Sequence, residues 1–112
     1  MSVRSPAVEA TLSRFRESLQ ERFGARLREL ILFGSWARGE PHEESDVDVL
    51  VAIDDLTDSE RHDVYALAYD ADAPNDWLVL LSPLVYASEQ ATRMRQGGRR
   101  LLRDIDAEGR RL

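Results

Sequence analysis

The chain has 112 residues, 43% hydrophobic and 32% charged, with a formal net charge of −6. This length predicts a single domain over residues 1–112. The chain lacks cysteine and lysine, and all fifteen basic residues are arginine, which excludes disulfides, thiolate zinc sites, Schiff-base chemistry and a P-loop lysine. No apolar run approaches the roughly 18 residues of a membrane span, and the N-terminus lacks a signal-peptide core, so we expect a cytoplasmic domain with no membrane partner.

Charge is distributed unevenly along the chain. Residues 1–39 and 77–112 each carry a net charge of +3, whereas residues 40–76 carry thirteen acids against Arg61 alone, a net charge of −12. An acidic surface repels a nucleic-acid backbone unless metal cations lie between them. We therefore expect no duplex nucleic acid as a partner, and we interpret most of these acids as solvated surface groups.

The first predicted element is a helix over residues 6–23, in which apolar side chains recur every three or four residues. The second is a strand over residues 27–33, because an apolar run closed by Gly34 is typical of a buried strand that feeds a turn. A short helix over residues 36–39 and a polar loop over residues 40–45 come next.

The second half of the chain predicts two further strands and a capped helix. Alternating β-branched residues favour a strand over residues 47–53. The sequence Thr57-Asp58-Ser59-Glu60 matches a capping box and predicts a helix that ends near Ala71. A strand over residues 77–86 contains Pro83, which favours an edge position or a bulge.

A last short helix is predicted around residues 101–105, with Gly109 near its end. Helices and strands thus alternate along the whole chain. This order predicts an α/β (α+β) fold, with a small mixed β-sheet of three to four strands flanked by helices.

The stretch from Gly34 to Gly39 has the composition of an anion-binding turn. Gly34 follows a strand and precedes a helix, so main-chain amides and the helix dipole can face an anion, and Ser35 adds a hydroxyl at the same place. The two glycines allow the backbone to approach a ligand closely. A turn followed by an ordinary helix N-cap explains the same pattern without a ligand.

Two carboxylates lie at the start of the following strand. Asp46 and Asp48 are two residues apart, so in a strand their side chains leave the same face, with Cα atoms roughly 6.5 Å apart. Without a cation, two such charges repel each other and one pKa rises. Magnesium commonly binds one or two carboxylates and completes its octahedron with water and substrate phosphates. An exposed polar face is the alternative interpretation.

Together, the two motifs resemble the signature of the nucleotidyltransferase superfamily built on a polymerase-β-like palm. Gly-Ser is followed after ten residues by Asp-x-Asp, and the stretch GSWARGEPHEESDVDVLV resembles that of the small bacterial members, the minimal nucleotidyltransferases. The resemblance is sharp over residues 30–53; elsewhere it rests on the order of the elements. It implies a nucleotidyltransferase palm-like fold.

The resemblance also implies a role for each motif residue. Gly34 and Ser35 would hold the phosphates of a nucleoside triphosphate, with ATP the expected one. Asp46 and Asp48 would be the catalytic residues and would ligate Mg²⁺. Arg38 would brace the loop or neutralise phosphate charge, although an ion pair with the acidic loop over residues 40–44 explains it equally well.

One departure from the family pattern affects the expected activity. The family usually has a third carboxylate on a neighbouring strand, which ligates a second metal and helps to activate the attacking hydroxyl. The strand predicted over residues 77–86 contains no acid, and we expect Leu80 or Ser82 at that position. Asp76 and Glu89 flank this strand at its ends. The resemblance therefore implies transfer of a nucleoside monophosphate to a hydroxyl group or, as the alternative, a weak or inactive binding module.

The resemblance further implies a partner. Larger relatives, such as the kanamycin-modifying enzymes, carry an additional helical domain that forms part of the acceptor site, and we expect this chain to end before one. The acceptor pocket would then come from a second copy in a homodimer or from another protein. Minimal members often stand beside a helical HEPN-type partner in toxin–antitoxin pairs, as the antitoxin. The acceptor implied is a tyrosine of such a partner, modified with AMP; the alternative is an inactive antitoxin, scaffold or nucleotide sensor.

The remaining candidate residues are interpreted without a catalytic role. We expect His42 and His62 to be surface residues, although His42 lies near the acids. Four aromatic residues are interpreted as packing groups rather than base-stacking platforms: Trp36, Tyr65, Tyr69 and Trp77. The arginines of residues 93–103 form a basic cluster, either a solvated helix face or a docking surface for an acidic partner.

Overall fold

The computed structural model describes residues 5–39 and 46–112. In this part of the chain, four strands form one sheet in the order β3-β2-β1-β4, flanked by five helices. The helices are α1 (Pro6–Phe23), α2 (Ser35–Arg38), α3 (Asp58–Asp72), α4 (Ser88–Gln96) and α5 (Arg100–Glu108). The strands are β1 (Leu27–Phe33), β2 (Val47–Ile53), β3 (Leu81–Ala87) and β4 (Arg110–Arg111). This architecture confirms the predicted α/β fold.

The sheet contains both parallel and antiparallel pairs, and the ends of three strands lie together. β1 pairs with β2 in antiparallel orientation, and Phe33 lies opposite Asp48. β2 pairs with β3 in parallel orientation, and Asp48 lies beside Ser82. The C-terminal end of β1 and the N-terminal ends of β2 and β3 therefore lie side by side at one end of the strands.

Two apolar cores cover the two faces of the sheet. The odd-numbered residues of β2 are buried against α1 and α3. Leu50, which points the other way, is buried against α4 and α5 with Ile31, Leu102 and Ile105. Because side chains alternate along a strand, Asp48 leaves the sheet on the α4–α5 face.

The elements with the clearest sequence signals are observed as predicted. α1, β1 and β2 have the predicted bounds, and the apolar stripe of α1 is buried. The capping box of α3 is present, because Thr57 and Glu60 each accept the other's main-chain amide. The predicted loop over residues 40–45, with His42, lies outside the described residues, whereas His62 is exposed as expected. None of the described helices is long and apolar enough to cross a bilayer.

The predicted start of the third strand is wrong: β3 begins at Leu81, not at residue 77. Asp76, Trp77 and Leu80 have positive φ angles of 53°, 59° and 60°. This left-handed conformation is incompatible with an extended strand. The segment instead folds back over the C-terminal end of α3.

A buried carboxylate holds this segment in place. Asp72 is only 4% exposed, and its oxygens accept the amides of Val79 and Leu80 at 3.2 and 3.0 Å. We expect Asp72→Ala to lower the free energy of unfolding by about 3 kcal/mol, because buried amide groups lose their acceptor. Urea unfolding will measure the change, with exposed Asp70→Ala as the control, expected within about 0.5 kcal/mol of wild type. Equal effects of the two variants would contradict this role of Asp72.

β3 is an edge strand, as Pro83 predicts. Pro83 has no amide proton to offer along the free edge. On either side of it, the Leu81 amide lies 3.5 Å from Asp72, and the Val85 carbonyl accepts a hydrogen bond from Arg61. These side-chain contacts close the edge to pairing with another strand.

α4 was not predicted, because its residues carry only weak helix signals. Ala91 is its only buried residue, and no side chain caps its start at Ala87. Within the basic cluster, Arg95 of α4 is structural: its guanidinium donates to Glu29 of β1 at 2.8 Å and to Asp106 of α5 at 2.9 Å. These hydrogen bonds raise the pKa of Arg95 and join three elements.

Glu60 connects α3 to the turn after α1. Its carboxylate accepts two hydrogen bonds from Arg26, at 2.7 and 2.8 Å, and one from the Thr57 amide. These contacts, with Arg26 the main cause, lower the pKa of Glu60 to about 2. The folded state therefore gains stability from ionised Glu60 above the unfolded pKa, and this contribution disappears as the pH falls through the lower folded value.

We therefore expect Glu60→Gln to unfold more easily than wild type at neutral pH and to lose less stability on acidification. Urea unfolding between pH 7 and pH 2 will measure how the free energy of unfolding of each protein depends on pH. Glu17→Gln is the control, since Glu17 is exposed and makes no ion pair with the described residues. Parallel slopes for wild type and Glu60→Gln would contradict the prediction.

Candidate functional site

The turn after β1 lies directly against the start of β2. Gly34 has φ 76° and ψ −157°, a conformation essentially restricted to glycine. A β-carbon at this position would lie 2.6 Å from Oδ2 of Asp48. The absence of a side chain at Gly34 thus leaves room for the Asp48 carboxylate, which the antiparallel pairing of Phe33 with Asp48 places beside the turn.

The predicted anion-binding helix is very short. α2 contains four residues and ends at Arg38, followed by Gly39 as its C-cap with φ 73°. A helix of this length has a small dipole, so an anion at this turn would depend on the amides of the first turn and on the Ser35 hydroxyl. Trp36 packs against the α1–α3 core, in agreement with its interpretation as a packing group.

Asp46 directly precedes β2 and Asp48 is the second residue of that strand, and the two carboxylates are close enough for the charge of Asp46 to act on Asp48. Asp46 is exposed and Asp48 half-buried. Burial, and then the charge of Asp46, raise the pKa of Asp48. Among residues 5–39 and 46–112, neither carboxylate has a cationic or hydrogen-bonding partner, and no group of three or more acids or histidines is arranged to hold a metal. The pair can therefore offer two carboxylates to a cation.

The position expected for a third carboxylate contains a hydroxyl. Ser82, rather than Leu80, lies beside Asp48 across the parallel pair. Glu89 is at the other end of the sheet, where its carboxylate lies 3.4 Å from the Asp55 amide. Asp76 lines a separate groove with Trp36. Neither flanking acid therefore belongs to the carboxylate pair.

Arg38 has a partner that the sequence analysis missed. Its Nη1 lies 3.2 Å from Oε2 of Glu108 in α5. The predicted alternative, an ion pair with residues 40–44, lies outside the described residues. Glu108 is 70 positions from Arg38, and no local pattern connects residues so far apart.

A cavity of about 290 Å³ lies between the Gly34 turn and α5. It is on the same face of the sheet as Asp48. This volume is at the lower limit for small-molecule sites, so the cavity would enclose only part of a nucleotide. Its lining residues are Phe33, Gly34, Arg38, Leu101, Asp104 and Glu108, together with Ile105.

Comparison with known proteins gives one family and several relatives. Residues 12–95 match the family described as nucleotidyltransferase domain. A protein adenylyltransferase of Thermococcus cleftensis is 45% identical over 49 residues, which cover 44% of this chain and 48% of the relative. A protein of Methanocaldococcus jannaschii, provisionally named a protein adenylyltransferase, is 34% identical over 82 residues, 67% of this chain and 75% of the relative.

A second Methanocaldococcus jannaschii protein with the same provisional name is 41% identical over 46 residues, 41% of this chain and 46% of the relative. The chain thus spans about half the length of two of these relatives and three quarters of the third.

Proposed function

This chain belongs to the nucleotidyltransferase-domain family, and from that premise we propose that it transfers AMP from ATP to a hydroxyl group of a protein. Membership confirms the family and the transferase class that the sequence motifs predict. The observation that carries the proposal is the contact between the Gly34 turn and the Asp48 carboxylate. This contact supports the proposal because the turn expected to bind phosphate lies against one of the two carboxylates. The relatives' names supply adenylyl transfer and a protein acceptor.

Asp46 and Asp48 are the residues that would hold Mg²⁺. Their oxygens are the hard ligands that magnesium prefers, and two carboxylates with substrate phosphates suffice for one ion. Burial and mutual repulsion oppose the ionisation of Asp48, and a bound divalent cation would relieve both. When bound, the ion supplies neutralisation of the phosphate charge that develops during transfer.

The reaction assigned to these residues is an in-line displacement at the α-phosphorus. The acceptor oxygen forms a bond to this phosphorus, the bond to the bridging oxygen breaks, and pyrophosphate leaves. Amides of the Gly34 turn and the Ser35 hydroxyl would hold the triphosphate. Ser82 beside Asp48 is a poor base at neutral pH, so the acceptor proton would pass to solvent. The reaction would then lack the rate enhancement of about 10²–10⁴-fold that a positioned base contributes.

The acceptor proposed is a tyrosine hydroxyl of a helical HEPN-type partner, in a toxin–antitoxin pair. Support comes from the resemblance of the motif and from the relatives named as protein adenylyltransferases. A homodimer is the other source of an acceptor pocket.

A second candidate function is a nucleotide-binding module with little or no transfer. The observation that favours it is Ser82 beside Asp48, since this is where we expect the family's third carboxylate. Such a module would neutralise or scaffold its partner by contact alone.

Labelled ATP separates these functions. The chain, with the protein that co-purifies from its native host, is incubated with ATP labelled in the α-phosphate or in the γ-phosphate. Transferase activity predicts Mg²⁺-dependent protein labelling from the α-phosphate only. The binding module predicts Mg²⁺-dependent heat of ATP binding without labelling. An absence of both signals would overturn both functions.

A further inference from the structure

The last two elements of the chain, α5 and β4, lie beyond residue 95, where the family match ends, yet they reach the candidate site. β4 pairs with β1 in antiparallel orientation, and Arg110 lies opposite Leu32, two residues before Gly34. The residues that precede β4 therefore approach the Gly34 turn. Glu108, the last residue of α5, lines the cavity of about 290 Å³ together with Gly34.

Packing fixes the end of α5 against β1. Leu102 and Ile105 are buried in the core on this face of the sheet. A β-carbon at Gly109 would overlap the side chain of Ile31 and would lie 2.5 Å from the carbonyl oxygen of Ile105, so the helix end and the strand approach each other too closely for a side chain. The main chain at Glu108 is therefore held beside the turn.

Arg38 belongs to a much smaller element. It is the last residue of α2, a helix of four residues, and a long arginine side chain loses considerable rotamer freedom when it is held in one place. The Glu108 carboxylate lies 3.2 Å from Nη1 of Arg38. This contact connects the guanidinium to α5, which the core holds in place.

The residues around the cavity indicate what Arg38 would meet there. Among the described lining residues Arg38 is the one cation, and the Gly34 turn, which also lines the cavity, lies against the Asp48 carboxylate. A guanidinium carries five N–H donors in a planar fork, so it can contact a carboxylate and a phosphate oxygen at once. Contact with Glu108 is therefore compatible with phosphate binding by Arg38.

We propose that Glu108 is a positioning residue, which holds the Arg38 guanidinium beside the Gly34 turn before the phosphates of ATP arrive. The proposal rests on the proposed function, because these phosphates are those of the AMP donor. A binding group that is held in place in advance reduces the entropy that binding costs. The segment of α5 and β4 is then a part of the nucleotide site that lies outside the family match.

Glu108→Gln tests this role, because glutamine keeps the shape of the side chain and removes its charge. We expect the variant to weaken Mg²⁺–ATP binding by about threefold to fivefold, a small loss because an exposed ion pair is a weak restraint. The charge of Glu108 alone predicts the opposite sign, since removal of a negative charge beside the cavity would tighten the binding of an anion. Titration calorimetry will measure the dissociation constant.

Glu9→Gln is the matched control. Glu9 lies 2.9 Å from Arg110 of β4, and the side chains of this ion pair are 41% and 40% exposed, against 46% and 43% for Glu108 and Arg38. Its loss removes a similar contact of the same segment away from the cavity, so the dissociation constant should stay unchanged. In a protein that already carries Arg38→Gln, Glu108→Gln should weaken binding no further, because the two residues act through one contact.

Unchanged or tighter ATP binding by Glu108→Gln would overturn the positioning role, as would equal weakening by Glu9→Gln or weakening that persists without Arg38. Circular dichroism and urea unfolding verify that each variant is folded. The two proposals fail in different ways. If wild type binds no Mg²⁺–ATP, the proposed function fails and the positioning role fails with it. If wild type transfers α-label and Glu108→Gln binds ATP as tightly as wild type, only the positioning role fails.

Discussion

Replacement of Asp48 by asparagine is expected to reduce the proposed AMP transfer by more than about 100-fold, since loss of a metal's outer-shell partners alone costs 10–100-fold. The same change should stabilise the unliganded fold at neutral pH. Burial and the charge of Asp46 raise the pKa of Asp48, so its ionised form destabilises the folded state above the unfolded pKa. Asparagine has the same shape but no charge. Transfer of α-label and urea unfolding will measure the two effects.

Asp54→Asn is the matched control for this prediction. Asp54 immediately follows β2, at the strand's opposite end, and accepts a hydrogen bond from Arg28 at 2.6 Å. That contact lowers the pKa of Asp54, so its substitution should lower stability slightly and leave transfer unchanged. The two variants thus have opposite expected effects on stability. Wild-type transfer by Asp48→Asn would remove the carboxylate pair from the mechanism.

Local sequence signals predicted an element correctly where the residues within that element determine its structure. The stripe of α1 and the capping box of α3 depend on residues three or four positions apart, and both predictions are confirmed. The prediction of where β3 begins was wrong because Asp72, nine residues before Leu81, accepts hydrogen bonds from the amides of the intervening segment. No pattern of apolar residues reports such a contact.

The candidate site shows the same division between local and distant information. Alternation along a strand predicts that Asp46 and Asp48 share one face. The contact of Asp48 with Gly34 depends instead on the register between β1 and β2, which the intervening residues do not determine. Only the family resemblance indicated that the two motifs belong to one site. It did not predict the ion pair between Arg38 and Glu108 of α5.

Gly34→Ala is expected to reduce transfer by about 100-fold without altering any charged group. A β-carbon at this position would lie 2.6 Å from Oδ2 of Asp48, so the carboxylate must rotate away from the turn. Displacement of a reacting group by about 1 Å is enough for a loss of this size. The positive φ of 76° adds a stability cost of about 1–3 kcal/mol.

Gly24→Ala separates the displacement of Asp48 from backbone strain. Gly24 also has a positive φ, 56°, but a β-carbon there meets nothing within 4 Å. This variant should lose a comparable amount of stability in urea unfolding and retain transfer of α-label. Equal losses of transfer in both variants would attribute the effect to stability. Full transfer by a folded Gly34→Ala protein would show that the reaction does not require the Asp48 carboxylate against the turn.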